Sequence, residues 1–196
     1  MIENFNLFSC PVLREDTQLD NKKIMKYCHS VKKNDKGRTI SNYGGYQSNF
    51  LNLIDKELQP LITQIGQTLT HYINICAFKN TLNYELNSMW FNINSYRDYN
   101  TPHIHPGVLF SGVYYVNAPK DSGDIVFSHP HKHLISYDWN DNIKSKLIEN
   151  NSTNWTMNAQ NGRLYIFPSW LEHSVMPNLN KKEDRISIAF NVRIQY

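Results

Sequence analysis

The sequence predicts a mainly β fold, a sandwich or small barrel, flanked on its N-terminal side by helices. Three observations carry this. From Asn83 onward the side-chain period is two, with Trp90, Asn92 and Asn94 alternating with Phe91, Ile93 and Ser95. Short strand-like runs follow at Leu109–Val116, Asp124–Phe127, Arg163–Phe167 and Ile186–Ile194. Turn signals separate them at Thr101-Pro102, Pro106-Gly107, Asp121–Gly123, Asn161-Gly162 and Pro177-Asn178. Ahead of this half, Leu51, Ile54, Leu58, Leu61, Ile65, Leu69, Tyr72 and Cys76 recur at steps of three and four, the stripe of an amphipathic helix.

Taken in order, Phe5 to Leu13 reads as a short strand, placed on a sheet edge because Pro11 has no N–H to give to a ladder. Thr17 to Val31 reads as a helix, with Leu19, Ile24, Tyr27 and Cys28 loosely at helical spacing. Ser41–Ser48, with its Gly44-Gly45 pair, reads as a loop. Pro60 falls inside the helical stripe and predicts a kink there or a break into two helices. Residues 137–161 are polar and read as an insertion with a short helix near Ile143–Ile148. The expected organisation is one domain over 1–196, with a helical flank and edge strand over 1–80 and the β core over 81–196.

Hydrophobic residues make up 40% and aromatics 13% of the 196, a globular composition. The net charge is only +3 and the basic residues are scattered. Lys22-Lys23 and Lys32-Lys33 fall in the first helix and read as a solvated face, so no nucleic-acid surface is expected. No stretch approaches the roughly 18 apolar residues of a membrane span, and the opening Met1–Phe5 lacks a basic start followed by an apolar run, so no secretory signal is expected. Cys10, Cys28 and Cys76 are odd in number and widely spaced. They suit packing in a reducing cytosol, and a cytoplasmic protein is expected.

The eight histidines carry the chemistry. His29 and His71 stand alone on helical segments. His129, His131 and His133 alternate after a strand end, where a solvated loop is the plainer reading because nothing nearby supplies more ligands. His103 and His105 differ: at i and i+2 on an extended segment, both imidazoles point to one side. His173 opens a strand 70 residues after His103, and Arg185-Ile186-Ser187 opens the last apolar strand 12 residues after that. Two imidazoles, a distal imidazole and a basic residue one strand later suit a barrel whose open mouth holds a metal. Such a site leaves positions for a bidentate ligand and dioxygen. Arg185 would meet a carboxylate bidentately, and the Ser187 hydroxyl faces the same way.

These elements resemble the 2-oxoglutarate/Fe(II) oxygenase superfamily, with its His-x-Asp/Glu, distal His and Arg-x-Ser pattern. More narrowly, the chain is similar to a family of such oxygenases found mostly in marine bacteria and their phages. The residues that match are Trp90–Asn92, His103–Gly107, Ser111–Val116, Phe167–His173 and Arg185–Asn191, together with Gly44–Ser48. The resemblance implies a double-stranded β-helix (jelly-roll or cupin-like) core packed against N-terminal helices. It also implies Fe(II), 2-oxoglutarate as co-substrate, dioxygen and an unidentified substrate, in the cytoplasm of a bacterium or of a phage-infected host. Metal ligands would be His103, His105 and His173. Arg185 and Ser187 would hold the co-substrate, assisted by Tyr115 and Asn92, with Trp90 lining the pocket or packing in the core. Arg97, Arg163 and Arg193 are alternative counter-ions.

The departure lies at the acidic ligand. Either His103 leads and His105 fills the acidic slot, or His105 leads and Gly107 leaves the slot empty. The first is preferred, because Thr101-Pro102-His103 sits where a strand is ending and Pro106-Gly107 then turns the chain. Two rival readings remain. A three-histidine dioxygenase that uses no 2-oxoglutarate would leave Arg185 and Ser187 without a role. A non-catalytic β-barrel would show a closed four-ligand metal site or none.

Overall fold

The computed structural model describes residues 1–3 and 5–195. The first strand, β1 (Leu13–Asp16), lies at a sheet edge as expected but begins where the predicted strand ends. Pro11 has no N–H and its carbonyl is taken by the Tyr72 hydroxyl at 2.8 Å, so pairing starts only after it. The first helix, α1 (Asn21–Lys32), begins later than predicted because Asp20 caps it, its carboxylate accepting from Lys23 N.

The segment expected to be a loop holds two short strands, β2 (Asn42–Tyr43) and β3 (Tyr46–Gln47), which belong to different sheets. Gly44 and Gly45 join them at φ +65° and +61°, and a Cβ on Gly44 would lie 2.0 Å from Asp98 Oδ1. Only glycine takes that path without strain. Pro60 gives a break, and a single helix follows it: α2 (Gln59–Ile75) starts with the proline in its first turn, where no N–H is needed. Leu51 and Leu58 are buried in the irregular stretch before it, while Ile54 is 81% exposed.

The β half follows the predicted order. β4 (Asn83–Asn94), β5 (Tyr99–His103), β6 (Phe110–Asn117) and β7 (Ile125–Ser128) come first. β8 (Asn154–Met157), β9 (Arg163–Pro168), β10 (His173–Val175) and β11 (Arg185–Gln195) complete it. The expected helix at 143–148 is not there. The helix of this region, α3 (Lys132–Asp138), lies earlier and is followed by a 3-10 turn at Asp141–Ile143. The end of the supposed insertion is β8, a strand of the second sheet. Its ladder with β7 overrides the polar composition that concealed it.

All strand pairs are antiparallel. One sheet runs β1-β9-β6-β11-β4-β3 and the other β2-β5-β10-β7-β8, the two antiparallel sheets of a double-stranded β-helix. Ile24 and Cys28 of α1 and Leu61, Ile65, Leu69 and Tyr72 of α2 pack against Phe91, Ile93, Leu164, Ile166, Ile188 and Phe190 of the first sheet. On that sheet's other face a second core gathers Val113, Tyr115, Tyr165 and Phe167 with Ile125 and Phe127 of the facing sheet. Strands buried on both faces explain the unbroken apolar runs. Among the described residues, no helix is long and apolar enough to cross a membrane.

Candidate metal and co-substrate site

Two neighbouring strands, β5 and β10, bring the histidines together. β10 pairs with β5 so that His173 faces His103, and His105 follows two residues beyond, where its N–H donates to Ser169 O at 2.9 Å. The ring centroids lie 4.3 Å (His103–His173) and 5.1 Å (His103–His105 and His105–His173) apart. One ligand atom from each lies within 4.8 Å of the other two. His103 and His105 are half-buried and His173 is 5% exposed.

Hydrogen bonds fix the tautomer of each ring. His103 Nδ1 lies 2.7 Å from Thr101 O and His173 Nδ1 lies 2.9 Å from Leu171 O. A carbonyl only accepts, so both Nδ1 atoms carry the proton and both Nε2 atoms keep a lone pair. His105 Nδ1 lies 2.6 Å from Asn191 Oδ1, which also accepts from Ser111 Oγ at 2.8 Å, while Asn191 Nδ2 donates to Ser88 Oγ at 3.3 Å. This amide orientation leaves His105 as the donor as well. Burial lowers the pKa of all three rings, and with help from His103 it takes that of His173 down to about 3. The three imidazoles are therefore neutral at pH 7, each oriented by an outer partner, which is the form a metal takes.

The residues expected to hold the co-substrate lie along β11. Its register sets Arg185, Ser187 and Ala189 opposite Asn94, Asn92 and Trp90 of β4, and Ser187 opposite Tyr115 of β6. Arg185 is 1% exposed. Its Nη1 donates to Ser122 O, to Met176 O at 2.9 Å and to Gly123 O at 3.2 Å, while Nη2 has no partner. Among the described residues no carboxylate stands within ion-pair distance of it. Burial pulls its pKa down against Tyr115, Asp124 and Asp98. A Cβ on Gly123, at φ +90°, would lie 2.6 Å from Nη1 and 2.2 Å from Met176 O, so glycine there makes room for the guanidinium. Further buried polar atoms without partners lie on the same strands: Tyr115 Oη, Asn92 Oδ1, both side-chain polar atoms of Asn94, and Gln47 Oε1 on β3, whose register partner is Asn92.

Buried polar groups are nearly always satisfied, and a buried cation without an anion costs several kcal/mol. One cleft is lined by Trp90, Asn92, His103, His105, His173 and Ser187. The three imidazoles on its lining, with the unpartnered guanidinium nitrogen and phenol buried on the strands beside it, fit a divalent metal and a dicarboxylate. A roomier groove of about 580 Å³ lies between α1 and the start of α2, but Lys23, Lys26 and Lys56 mixed with Asp20 and Glu57 give it no convergent chemistry.

The other sequence candidates lie elsewhere. Arg163 is paired with Asp16 through Nε (2.6 Å) and Nη2 (2.8 Å), Arg193 with Glu85 at 2.9 Å, and Arg97 packs over the Tyr96 ring. His129 and His131, with ring centroids 6.1 Å apart just ahead of α3, gather no third ligand among the described residues. Trp90 is both core and cleft wall, with its ring 5.6 Å from that of His105. Sequence reading missed Asn191, Asn94, Gln47 and Gly123. Asn191 and Asn94 share the parity of Arg185 and Asn92 on their strands, so the period of two could have found them.

No curated protein matches the chain in sequence. Among solved structures it is similar to a prolyl-4-hydroxylase from Pseudomonas putida, with TM-score 0.66 and 12% identity over 97% of this chain and 96% of that one. It is similar also to the viral collagen prolyl hydroxylase of Paramecium Bursaria Chlorella virus-1 in its 2OG complex, with TM-score 0.56 and 14% identity over 92% and 94%. HygX from Streptomyces hygroscopicus, with nickel and 2-oxoglutarate bound, gives TM-score 0.61 and 10% identity over 94% and 83%. At these identities the likeness speaks for the fold. Residues 88–191, more than half of the chain and a span that includes His103, His105, His173 and Arg185, match the sequence model of the family described as "Putative 2OG-Fe(II) oxygenase". The chain belongs to that family of 2-oxoglutarate- and Fe(II)-dependent oxygenases, and carries a three-histidine group where its cofactor is expected.

Proposed function

We propose that Nε2 of His103, His105 and His173 bind the iron, that Arg185 holds the far carboxylate of 2-oxoglutarate, and that the oxidation is a hydroxylation. The observation that carries this is the gathering of one ligand atom from each of three neutral imidazoles, with an unpartnered guanidinium nitrogen buried on β11 two residues from Ser187, which lines the same cleft. This is the register in which His105 takes the usual acidic place. Gly107, at an exposed turn, has nothing within 4 Å of where its Cβ would be, which supports a turn there and not a ligand slot.

Iron(II) with bound 2-oxoglutarate and dioxygen supplies the oxidising chemistry. The protein's part is orientation. Thr101 O, Leu171 O and Asn191 hold each ring so that Nε2 is the donor atom. Arg185 offers Nη2 to a carboxylate, with the Ser187 hydroxyl and the Tyr115 phenol, whose pKa burial raises, as neutral donors beside it. Phe127 and Phe167 stand against His173, with ring centroids 6.2 and 4.7 Å away, and keep water from that side. Asn92 lines the cleft.

Two of the similar folds are described as prolyl hydroxylases, which supports hydroxylation as the outcome. Three free cysteines support a reducing compartment, the cytoplasm of a bacterium or of a phage-infected host. The test is anaerobic titration of the Fe(II)-loaded protein with 2-oxoglutarate. A visible charge-transfer band that saturates in the wild type and disappears in Arg185→Gln is the expected result. Iron binding with no such band would reject the co-substrate assignment and favour a three-histidine dioxygenase of another kind.

A further inference from the structure

Arg38 stands beside Trp90, which lines the cleft, and takes no part in holding the metal or the co-substrate. Its backbone N–H donates to Gln47 O at 2.8 Å and its Nε to Ser48 O at 3.1 Å, which ties it to β3. The guanidinium carbon stands 4.1 Å from the ring centroid of Phe50 and 5.7 Å from that of Trp90. The Trp90 ring in turn lies 5.6 Å from that of His105. Its two Nη groups make no hydrogen bond within the described protein. The carboxylate that attracts it most is Asp35, yet Asp35 lies beyond ion-pair distance. Its oxygens are already taken by Gly37 N (2.9 Å), Asn49 N (2.8 Å) and Asn49 Nδ2 (2.5 Å). Burial disfavours the charged form of Arg38, so part of its hydration is already lost.

A half-desolvated, stacked guanidinium with a free fork is poised for a planar anion. That anion is not the far carboxylate of the co-substrate. Arg185 and Ala189, the register partner of Trp90, are four residues apart on β11, about 13 Å at strand rise. Arg38, beside Trp90, is therefore well removed from Arg185 along the sheet. Phe50, 61% exposed, and the indole of Trp90 offer an apolar wall beside the fork. One guanidinium matches one negative charge shared by two oxygens, which selects a carboxylate over a phosphate dianion.

We propose that Arg38 is the substrate's anion-binding residue. It holds a carboxylate of the molecule to be oxidised, while Phe50 and Trp90 cover that molecule's apolar part. The inference rests on reading the cleft as the active site, and its test keeps the two apart. Full-length protein loaded with nickel(II), which imidazoles bind without redox turnover, is first titrated with 2-oxoglutarate. Failure of the wild type to bind it contradicts the proposed function directly. The 2-oxoglutarate-saturated protein is then titrated calorimetrically with 3-phenylpropanoate, with its uncharged amide, and with phenethyl phosphate.

The wild type is expected to bind the acid at least about tenfold more tightly than the amide, the scale of one charge-assisted hydrogen bond. Arg38→Gln removes that preference by weakening the acid alone, and Arg38→Lys retains part of it. Equal affinity for acid and amide, or no binding of the acid, overturns the assignment. So does a loss in Arg38→Gln shared equally by both, which is the mark of a packing role. Tighter binding of the phosphate than of the acid overturns the choice of carboxylate.

Discussion

The Nδ1 atom of His105 lies 2.6 Å from Oδ1 of Asn191, a bond that reaches from the turn after β5 to the middle of β11. Backbone carbonyls orient the other two rings, so this is the one imidazole of the three whose tautomer a side chain sets. Asn191→Ala is expected to weaken metal binding about 10- to 100-fold, the usual cost of removing an outer partner of a ligand. Competition with a chelating dye measures it. Asn191→Asp, which keeps an acceptor, is expected to retain most of the affinity.

His105→Asp restores the acidic ligand of the wider superfamily and adds one negative charge to a site whose described ligands are neutral. Divalent metal should still bind, and no more weakly than tenfold, whereas His105→Ala should lose more than that. Equal metal affinity in His105→Ala and wild type would show that the second histidine is not a ligand.

Gly123→Ala puts a methyl group 2.2 Å from Met176 O and 2.6 Å from Arg185 Nη1, at a φ of +90°. Strain and overpacking together are expected to cost about 2–4 kcal/mol, read by urea denaturation. Where the variant stays folded, its affinity for 2-oxoglutarate should fall while metal affinity holds, because the guanidinium is displaced and the histidines are not.

Stability of the metal-free protein should fall as pH drops below the ordinary histidine range. Burial lowers the folded-state pKa of His103, His105 and His173, the last to about 3. The unfolded chain then binds protons from about pH 6.5 downward while the folded one resists them. The stabilisation is whole above that pH and is lost as pH falls toward the folded values. His173 contributes a slope of about 1 kcal/mol per pH unit. Urea unfolding at pH 7.5 and 5.5 checks it, and His173→Phe should flatten the dependence.

Much of the β half was legible because each strand carries its own period and turn signals, and β4, β6, β7, β9 and β11 fall where alternation and apolar runs place them. What was not legible depends on partners remote in sequence. β8 is four residues at the end of a polar stretch and becomes a strand through its ladder with β7, and β2 and β3 are strands because the sheets on either side of Gly44-Gly45 recruit them. The grouping of the three histidines could be read because their spacing reports which face they share. The isolation of Arg185 from any carboxylate among the described residues, and the link between His105 and Asn191 over 86 positions, exist only once the strands are in register.

The most direct test of the convergence is a crystal structure with metal and 2-oxoglutarate bound. Metal density within about 2.1 Å of Nε2 of His103, His105 and His173, with the far carboxylate on Arg185 Nη2, is the predicted result. Metal held by His105 and His173 alone, or co-substrate seated away from Arg185, would contradict it.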